Sequence, residues 1–182
     1  MFEIVTSRLH LSPYRIDDAD ELFGIRGDGE AMAYWDWPAD ASVEQTRAVS
    51  ASMLAGMERG TAAFWSARVA ADASFAGLCD LSELDGSGSA DLGFMFARRH
   101  WGKGYAREAV TAILNEAPRL GITAVRARVH ADNVRSCRLL ASLGFTQTAV
   151  LPTHEIRPGV RKTCLVFEQR RTGARASPRN RP

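Results

Sequence analysis

One short segment constrains the fold more than any other part of the sequence. Residues 90–97 alternate in side-chain character as a strand does, and Arg99-x-x-Gly102-x-Gly104 follows directly before a helical apolar stripe that starts at Ala106. Glycines at such a junction tolerate positive φ and let the backbone approach a ligand closely. The unpaired amides and the dipole at the start of the helix then favour an anion such as a diphosphate.

The same segment also fits a plain tight turn between a strand and a helix. It differs from the phosphate-binding loop of nucleoside triphosphatases, because no Gly-Lys-Ser/Thr occurs at the required spacing. It also differs from the dinucleotide-binding fingerprint, because Arg107 occupies the position of the third glycine. Three basic residues, Arg98, Arg99 and Lys103, add positive charge beside the predicted anion site.

Hydrophobic periodicity and breaker residues predict the remaining elements. Ser42 and Gln45 have the spacing of a capping box at the start of the second helix. In chain order we predict a strand at Leu9 and Leu11, a helix opened by Asp17, a helix from Ser42 to Gly60, strands over 62–71, 74–84 and 90–97, a helix ended by Pro118, a strand over 124–130, a helix from Asn133 to Gly144, and strands over about 145–154 and 160–169 around a turn at Pro158–Gly159. This order implies an α+β domain whose mostly antiparallel central sheet carries helices on its faces.

Composition restricts the class of protein. The chain has 182 residues, 46% of them hydrophobic and 24% charged, which fits one globular domain. No apolar stretch reaches the ~20 residues of a membrane-spanning helix, and charged residues near the start argue against a signal peptide. Cys79, Cys137 and Cys164 form no close pair, which predicts reduced thiols in a cytoplasmic protein, with no disulfide and no metal site.

The last residues, 170–182, differ from the rest of the chain. They hold five arginines and no acids, whereas the whole chain has a net charge of only +2, so the remainder is mildly acidic. Without large apolar side chains this segment cannot bury enough surface to order itself. We therefore predict a folded domain over 1–169 and a disordered basic tail. The absence of interleaved aromatic residues disfavours a nucleic-acid role for the tail.

The motifs taken together resemble the GNAT superfamily of acyl-CoA-dependent N-acyltransferases. Within that superfamily the chain looks most like the Rim-type branch, which acetylates the N-termini of ribosomal proteins. The resemblance runs from Thr6 to about Glu168 and depends on the combination of pieces in order and spacing. Its pieces are the opening over 6–20, Trp101-Gly-Lys-Gly-Tyr-Ala-Arg-Glu-Ala109, Asn133-x-x-Ser136 and Leu143-Gly-Phe145.

The resemblance implies acetyl-CoA as co-substrate, and a sheet splayed between the strands at 90–97 and 124–130. The pantetheine arm would lie in this gap and bond the backbone near Phe94 and Phe96, while an amide near Met95 would stabilise the oxyanion. The residues implied to contact the coenzyme are Phe94, Met95, Phe96, Arg99, Gly102, Lys103, Gly104, Tyr105, Ala106, Asn133 and Ser136. Asn133 fits the N-cap of the last helix equally well.

The catalytic groups are indicated less directly. Many members of the superfamily protonate the leaving thiolate with a tyrosine, whose position here is Leu140. The Rim-type branch offers a serine instead, which Ser136 matches, so we predict Ser136 as the general acid. Asp91 and Glu155 are the two predicted candidates for the general base. Each also fits a solvated carboxylate, and a water chain is the remaining option.

The acceptor stays open at the level of sequence. Trp35 and Trp37 lie in a loop before a helix and are predicted to shape the acceptor cleft, whereas Trp65 is expected in the core. The acceptor is a primary amine, either a protein N-terminus or a small molecule such as a polyamine, amino acid or aminoglycoside. A non-catalytic sensor of acyl-CoA is the second interpretation. A homodimer and a monomer are equally open.

Overall fold

The computed structural model describes residues 1–157 and 159–170. In chain order the elements within these ranges are β1 Ile4–Val5, β2 Leu9–Pro13, α1 Ala19–Arg26, α2 Val43–Glu58, β3 Ala63–Val69, β4 Phe75–Ser82, β5 Ser89–Phe96, α3 Tyr105–Glu116, β6 Ala124–His130, α4 Val134–Ser142, β7 Thr146–Arg157 and β8 Val160–Arg170. The predicted α+β class and element order are confirmed, and the two-residue β1 is an addition.

All eight strands form one sheet in the order β1-β2-β3-β4-β5-β6-β8-β7. Every neighbouring pair is antiparallel except β5 and β6, which run parallel because α3 carries the chain across between them. These two strands pair only from Ser89↔Ala124 to Asp91↔Arg126. Beyond that point they separate, so the predicted splay of the sheet is confirmed.

Apolar side chains cover both faces of the sheet. Ala90, Leu92 and Phe96 of β5 belong to one buried cluster with residues of α3 and α4, whereas Met95 belongs to a second cluster with residues of α1 and α2. The alternation predicted for this strand is therefore confirmed. Trp65 is fully buried, as expected. Burial on both faces places the central strands between two helical layers, whereas the edge strand β7 is largely exposed.

Local signals set most of the helix ends. Gly144 has φ 84° just after α4, as a closing glycine should, and α3 ends at Glu116 before a 3-10 turn that contains Pro118. The predicted capping box is wrong. Ser42 is the N-cap of α2 without a side-chain cap bond, and the Gln45 side chain reaches past it to accept the Ala41 N–H at 2.7 Å.

Two predictions fall on residues outside the described ranges, namely the turn at Pro158 and the disordered tail from residue 171 onward. The three cysteines are free, with Cys79 and Cys164 buried and Cys137 half-buried. Within residues 1–157 and 159–170, no helix is both long and apolar enough to cross a membrane.

Candidate active site

The gap between β5 and β6 opens into a cleft of about 370 Å³. The cleft joins the two sides on which the sequence predicts different functions. Phe94, Met95, Asn133 and Ser136 line it from the predicted coenzyme side, and Trp35, Trp37 and Asp91 line it from the predicted acceptor side. The structure therefore brings these predicted site residues together around one opening in the sheet.

The loop before α3 has the geometry of an anion cradle. Gly102 and Gly104 have φ of 73° and 82°, conformations that glycine adopts without strain. Gly104 is the N-cap of α3, so no side chain caps the first amides of the helix. A Cβ at Gly102 would meet no atom within 4 Å, so the loop faces open space there. We call residues 102–106 the glycine loop.

The glycine loop is shorter than the segment predicted to bind the diphosphate. The amides of His100 and Trp101 already donate to the carbonyls of Ala97 and Arg98, at 2.8 and 3.0 Å, within a 3-10 turn. The guanidinium of Arg99 donates to the Phe75 carbonyl at 2.9 Å and is thus directed toward β4. This bond engages the side chain only, and the predicted contact of Arg99 with the coenzyme stays a prediction.

Not all of the basic residues predicted beside the glycine loop keep a charge that is free for an anion. Arg98 is neutralised by Asp28 and Glu30, each at 2.6 Å. Lys103 has no carboxylate partner among the described residues, so its charge remains for an anion. Arg135, in the first turn of α4, lies 4.9 Å from the Trp101 ring centroid and brings a further cation next to the loop.

The register of β5 decides which of its amides face the gap. Ala97, just beyond β5, donates its N–H to the Ala76 carbonyl of β4, and a Cβ at Gly77 of β4 would overlap the Met95 carbonyl oxygen. The backbone N–H and C=O groups of successive residues in a strand point in opposite directions. The N–H and C=O of Met95 therefore point toward β4, and those of Phe94 and Phe96 point toward β6. The prediction of a Met95 amide at the oxyanion is corrected to its gap-facing neighbour Phe94.

Phe96 is a core residue, and its predicted backbone contact with the coenzyme stays a prediction. Its side chain is 6% exposed within the core, and its carbonyl accepts the indole N–H of Trp101 at 2.7 Å. Of the two gap-facing residues, only Phe94 lines the cleft. The indole bond instead anchors the residue before the glycine loop to the end of β5.

The first turn of α4 faces the cleft from the β6 side. Asn133 caps the helix, because its Oδ1 accepts the Ser136 N–H at 3.2 Å. Asn133 and Ser136 also line the cleft, and the Ser136 side chain is half-buried there. The N-cap role therefore coexists with a position at the cleft. Leu140 is fully buried in the core, which leaves Ser136 as the hydroxyl that α4 presents to the cleft.

The two predicted base candidates have different positions. Glu155 is exposed on β7, which lies beyond β8 at the edge of the sheet, and its carboxylate is 3.5 Å from Arg161. It does not line the cleft, so the structure favours Asp91 over Glu155 by position. Asp91 does line the cleft, but its Oδ1 accepts from Arg126 Nε at 2.9 Å and from Arg126 Nη2 at 2.7 Å. Asp91 thus lies at the cleft with its carboxylate already engaged by the Arg126 guanidinium.

Asp80 on β4 is a cleft residue that the sequence motifs do not indicate. It pairs with Gly93 of β5, and a Cβ at Gly93 would lie 2.2 Å from the Asp80 Oδ1, so the carboxylate occupies the space above that glycine. Burial raises the pKa of the Asp80 carboxyl to about 7. The negative charge of Asp91 adds to this increase, and the hydrogen bond from Ser82 opposes it. The available sequence signal was an acid inside the apolar run Leu78-Cys-Asp-Leu81.

The acceptor side of the cleft is formed by the loop between α1 and α2. The Trp35 and Trp37 rings lie 5.3 Å apart between centroids. Arg26 binds Asp40 through Nε at 2.7 Å and Nη2 at 3.0 Å, and its guanidinium lies 5.6 Å from the Trp37 ring. This buried, two-point ion pair closes the base of the loop and supports the aromatic wall.

Acidic residues dominate the charge of the cleft. Asp36, Asp80 and Glu83 line it without an arginine or lysine partner in the described ranges. Asp36 lies 3.6 Å from the Nε2 of the buried His130. Two arginines in those ranges line the cleft. Arg26 is neutralised by Asp40, whereas Arg128 has no carboxylate partner in those ranges. The cleft therefore favours a positively charged acceptor.

No group of three or more His, Cys, Asp or Glu side chains in the described part of the chain has the geometry to hold a metal ion. The polar groups that line the cleft include backbone amides, the hydroxyls of Ser82 and Ser136, and carboxylates. These groups suit an acyl transfer in which a proton moves from the acceptor and a thiolate leaves.

Comparison with known proteins identifies the family. A family profile described as "Acetyltransferase (GNAT) domain" matches residues 8–146. A protein of Bacillus licheniformis, named as the uncharacterized N-acetyltransferase p20, is 30% identical over 87% of this chain and 90% of its own length. The chain therefore belongs to the GNAT family of acetyltransferases. It is an N-acetyltransferase that uses acetyl-CoA.

Solved structures share the fold at lower identity. RimL, described as a ribosomal L7/L12 alpha-N-protein acetyltransferase in complex with coenzyme A, superposes with a TM-score of 0.85 at 18% identity over 95% of this chain and 100% of its own. The spermidine N-acetyltransferase of Vibrio cholerae, in complex with CoA and spermine, gives 0.81 at 18% identity over 92% and 98%. At the level of the fold, the first agrees with the Rim-type resemblance.

Proposed function

We propose that the cleft between β5 and β6 transfers the acetyl group of acetyl-CoA directly to the primary amine of a small cationic acceptor. The observation that carries this proposal is the position of Asp80. Its carboxylate lies above Gly93 in the opening of the sheet, with a pKa raised by burial to about 7. A general base works best when its pKa is near the working pH.

The coenzyme side of the reaction depends on backbone groups. The amides of Gly102 to Ala106, with Lys103, would hold the diphosphate at the start of α3, because the loop has open space and an uncapped helix end. The pantetheine arm would lie in the gap beside Phe94 and Asn133. This arrangement directs the thioester toward the side of the sheet that carries Asp80.

The chemical step needs three groups around the thioester. Asp80 accepts a proton from the ammonium group of the acceptor, directly or through a water, and the freed nitrogen attacks the thioester carbon. The gap-facing Phe94 amide stabilises the negative oxygen of the tetrahedral intermediate. As the C–S bond breaks, the Ser136 hydroxyl donates a proton to the leaving sulfur, and the second proton lost by the attacking nitrogen returns to Ser136 through a water. The helix dipole of α4 favours negative charge at that position.

The acceptor is proposed from charge and shape. Asp36, Asp80 and Glu83 outweigh Arg128, so an amine with further positive charge gains electrostatic attraction. A peptide N-terminus is the second candidate, because Tyr34 and Trp37 are 43% and 41% exposed and line a cleft that is open to solvent. The aromatic wall of Trp35 and Trp37 would contact the apolar part of either acceptor.

A panel assay tests the proposed function. Release of free thiol from acetyl-CoA is measured with polyamines, amino acids, aminoglycosides and short peptides bearing free N-termini. The proposal expects the highest kcat/KM with a polyamine or another multiply charged small amine. The best rate with a peptide would favour the second candidate. Coenzyme binding without thiol release from any amine would support the sensor interpretation and contradict catalysis.

A further inference from the structure

Arg8 contacts the glycine loop although it lies about a hundred residues away in the sequence. Its Nη1 donates to the Lys103 carbonyl at 2.9 Å, and its guanidinium carbon lies 5.0 Å from the centroid of the Tyr105 ring. A Cβ at Gly104 would lie 3.3 Å from the Arg8 Nη2. One side chain from the residue before β2 thus touches three successive residues of the loop.

Glu108, one turn into α3, holds Arg8 in this position. Its carboxylate accepts from Arg8 Nε at 2.7 Å, from Arg8 Nη2 at 2.7 Å and from the Arg8 backbone N–H at 2.9 Å. It also accepts the hydroxyl of Thr6 at 2.6 Å. Partial burial alone would raise the pKa of Glu108, but the bonds from Thr6 and Arg8 outweigh it and hold the pKa below its usual range. The group is therefore charged at neutral pH, when a two-point ion pair with Arg8 is strongest.

The bond to Lys103 determines the direction of the next amide. The Lys103 carbonyl and the Gly104 N–H belong to one planar trans peptide unit, so they point in opposite directions. A carbonyl fixed toward Arg8 consequently turns the Gly104 N–H away from Arg8. The φ of 82° at Gly104 permits this orientation without the strain that a side chain would introduce.

We propose that Arg8, held by Glu108, is a positioning residue that orients the Gly104 amide for the diphosphate of acetyl-CoA. This inference rests on the proposed function of the glycine loop. Arg8 acts through the loop backbone and not on the reacting atoms. Its contribution therefore belongs to recognition of the diphosphate, and a donor that lacks this group should not benefit from it.

The test compares two acetyl donors in the full-length protein. Acetyl-CoA carries the diphosphate, whereas S-acetyl-pantetheine carries the same thioester without it. For Arg8→Ala we expect kcat/KM with acetyl-CoA to fall about tenfold, mainly through KM, because a charge-assisted bond that orders the loop is lost. The value with S-acetyl-pantetheine should stay within about twofold. Arg47→Ala is the matched control, because Arg47 is a surface arginine paired with Asp20.

Two further variants complete the test. Arg8→Lys keeps the charge without the planar fork, so it should retain most of the defect with acetyl-CoA. It also supplies the donor ratio if Arg8→Ala fails to fold. Equal losses with both donors, unchanged KM for acetyl-CoA, or full recovery in Arg8→Lys would overturn the positioning role. A wild-type protein that releases no thiol from either donor would instead contradict the proposed function itself.

Discussion

Replacing Asp80 by Asn removes the proposed base while nearly keeping the size of the side chain. An amine with the pKa of a lysine side chain, about 10.4, is neutral in only about 0.04% of molecules at pH 7. A base that removes the ammonium proton within the cleft can therefore contribute up to about a thousandfold, within the usual range for this kind of catalysis. We expect kcat/KM of Asp80→Asn to fall by about 10²- to 10³-fold at pH 7.

The pH dependence of kcat/KM tests the role of Asp80 more specifically than the loss of activity at one pH. Asp80 must be deprotonated to accept a proton, and its pKa is raised to about 7. Wild-type kcat/KM should therefore rise with pH through an inflection near this value, and the inflection should be absent in Asp80→Asn. The measurement is thiol release from saturating acetyl-CoA, followed from pH 5.5 to about 9 with the best acceptor of the panel.

The thermal stability of Asp80→Asn provides an independent check, because the substitution should raise stability while it lowers activity. A carboxyl whose pKa is higher in the folded than in the unfolded chain binds more protons when folded, so it destabilises the fold as pH rises between the two values. Burial gives Asp80 this property. Asp80→Asn should therefore unfold at a higher temperature than wild type at pH 8, and this advantage should shrink as the pH falls through about 7 and be lost below about 4.

Glu155→Gln is the matched control for these measurements. Glu155 is exposed and lies outside the cleft, so its kcat/KM should remain within about twofold of wild type. Asp80→Asn with wild-type kcat/KM and an unchanged inflection would refute the assignment of the base. A large loss in Glu155→Gln would refute the assignment of the cleft.

Three other variants probe the remaining parts of the site. Ser136→Ala should lower kcat about tenfold at saturating acetyl-CoA, because the leaving sulfur loses its proton donor, and unchanged turnover would remove Ser136 from the mechanism. Replacing both Trp35 and Trp37 by Ala should raise the acceptor KM about tenfold and leave the KM for acetyl-CoA alone, and the reverse pattern would contradict an acceptor wall. Gly104→Ala forces a side chain into a left-handed backbone beside Arg8, which costs about 1–2 kcal/mol and should raise the KM for acetyl-CoA. An unchanged KM measured in that variant would argue against diphosphate binding at the glycine loop.

The predictions that succeeded concern properties set within a few residues. The strand, glycine loop and helix over 90–116 follow from side-chain alternation, glycine conformation and an apolar stripe. Asn133 and Gly144 bound α4 because an N-cap and a closing glycine act on their own helix. The resemblance to the GNAT family supplied the splay between β5 and β6, which local patterns do not encode.

The predicted site residues whose surroundings in the structure differ from expectation depend on neighbours far away in the chain. Glu155 was expected near the reaction, but β7 lies outside β8, so the strand order removes it from the cleft. Arg99 was expected to attract the diphosphate, but the Phe75 carbonyl lies within its reach. Neither the order of strands in a sheet nor the partner of a long side chain follows from spacing along the sequence.

The elements, the glycine loop and the family could be predicted from the sequence, because they depend on short-range sterics and on the order of motifs. Which amide of β5 faces the gap and which acid lies in the cleft became clear from the packed fold alone. Pairing with β4 turns Met95 away from β6, and burial beside Gly93 and Asp91 gives Asp80 its raised pKa. A strand's register and a carboxyl's dielectric surroundings are properties of packed neighbours, so they exist only after the sheet has assembled.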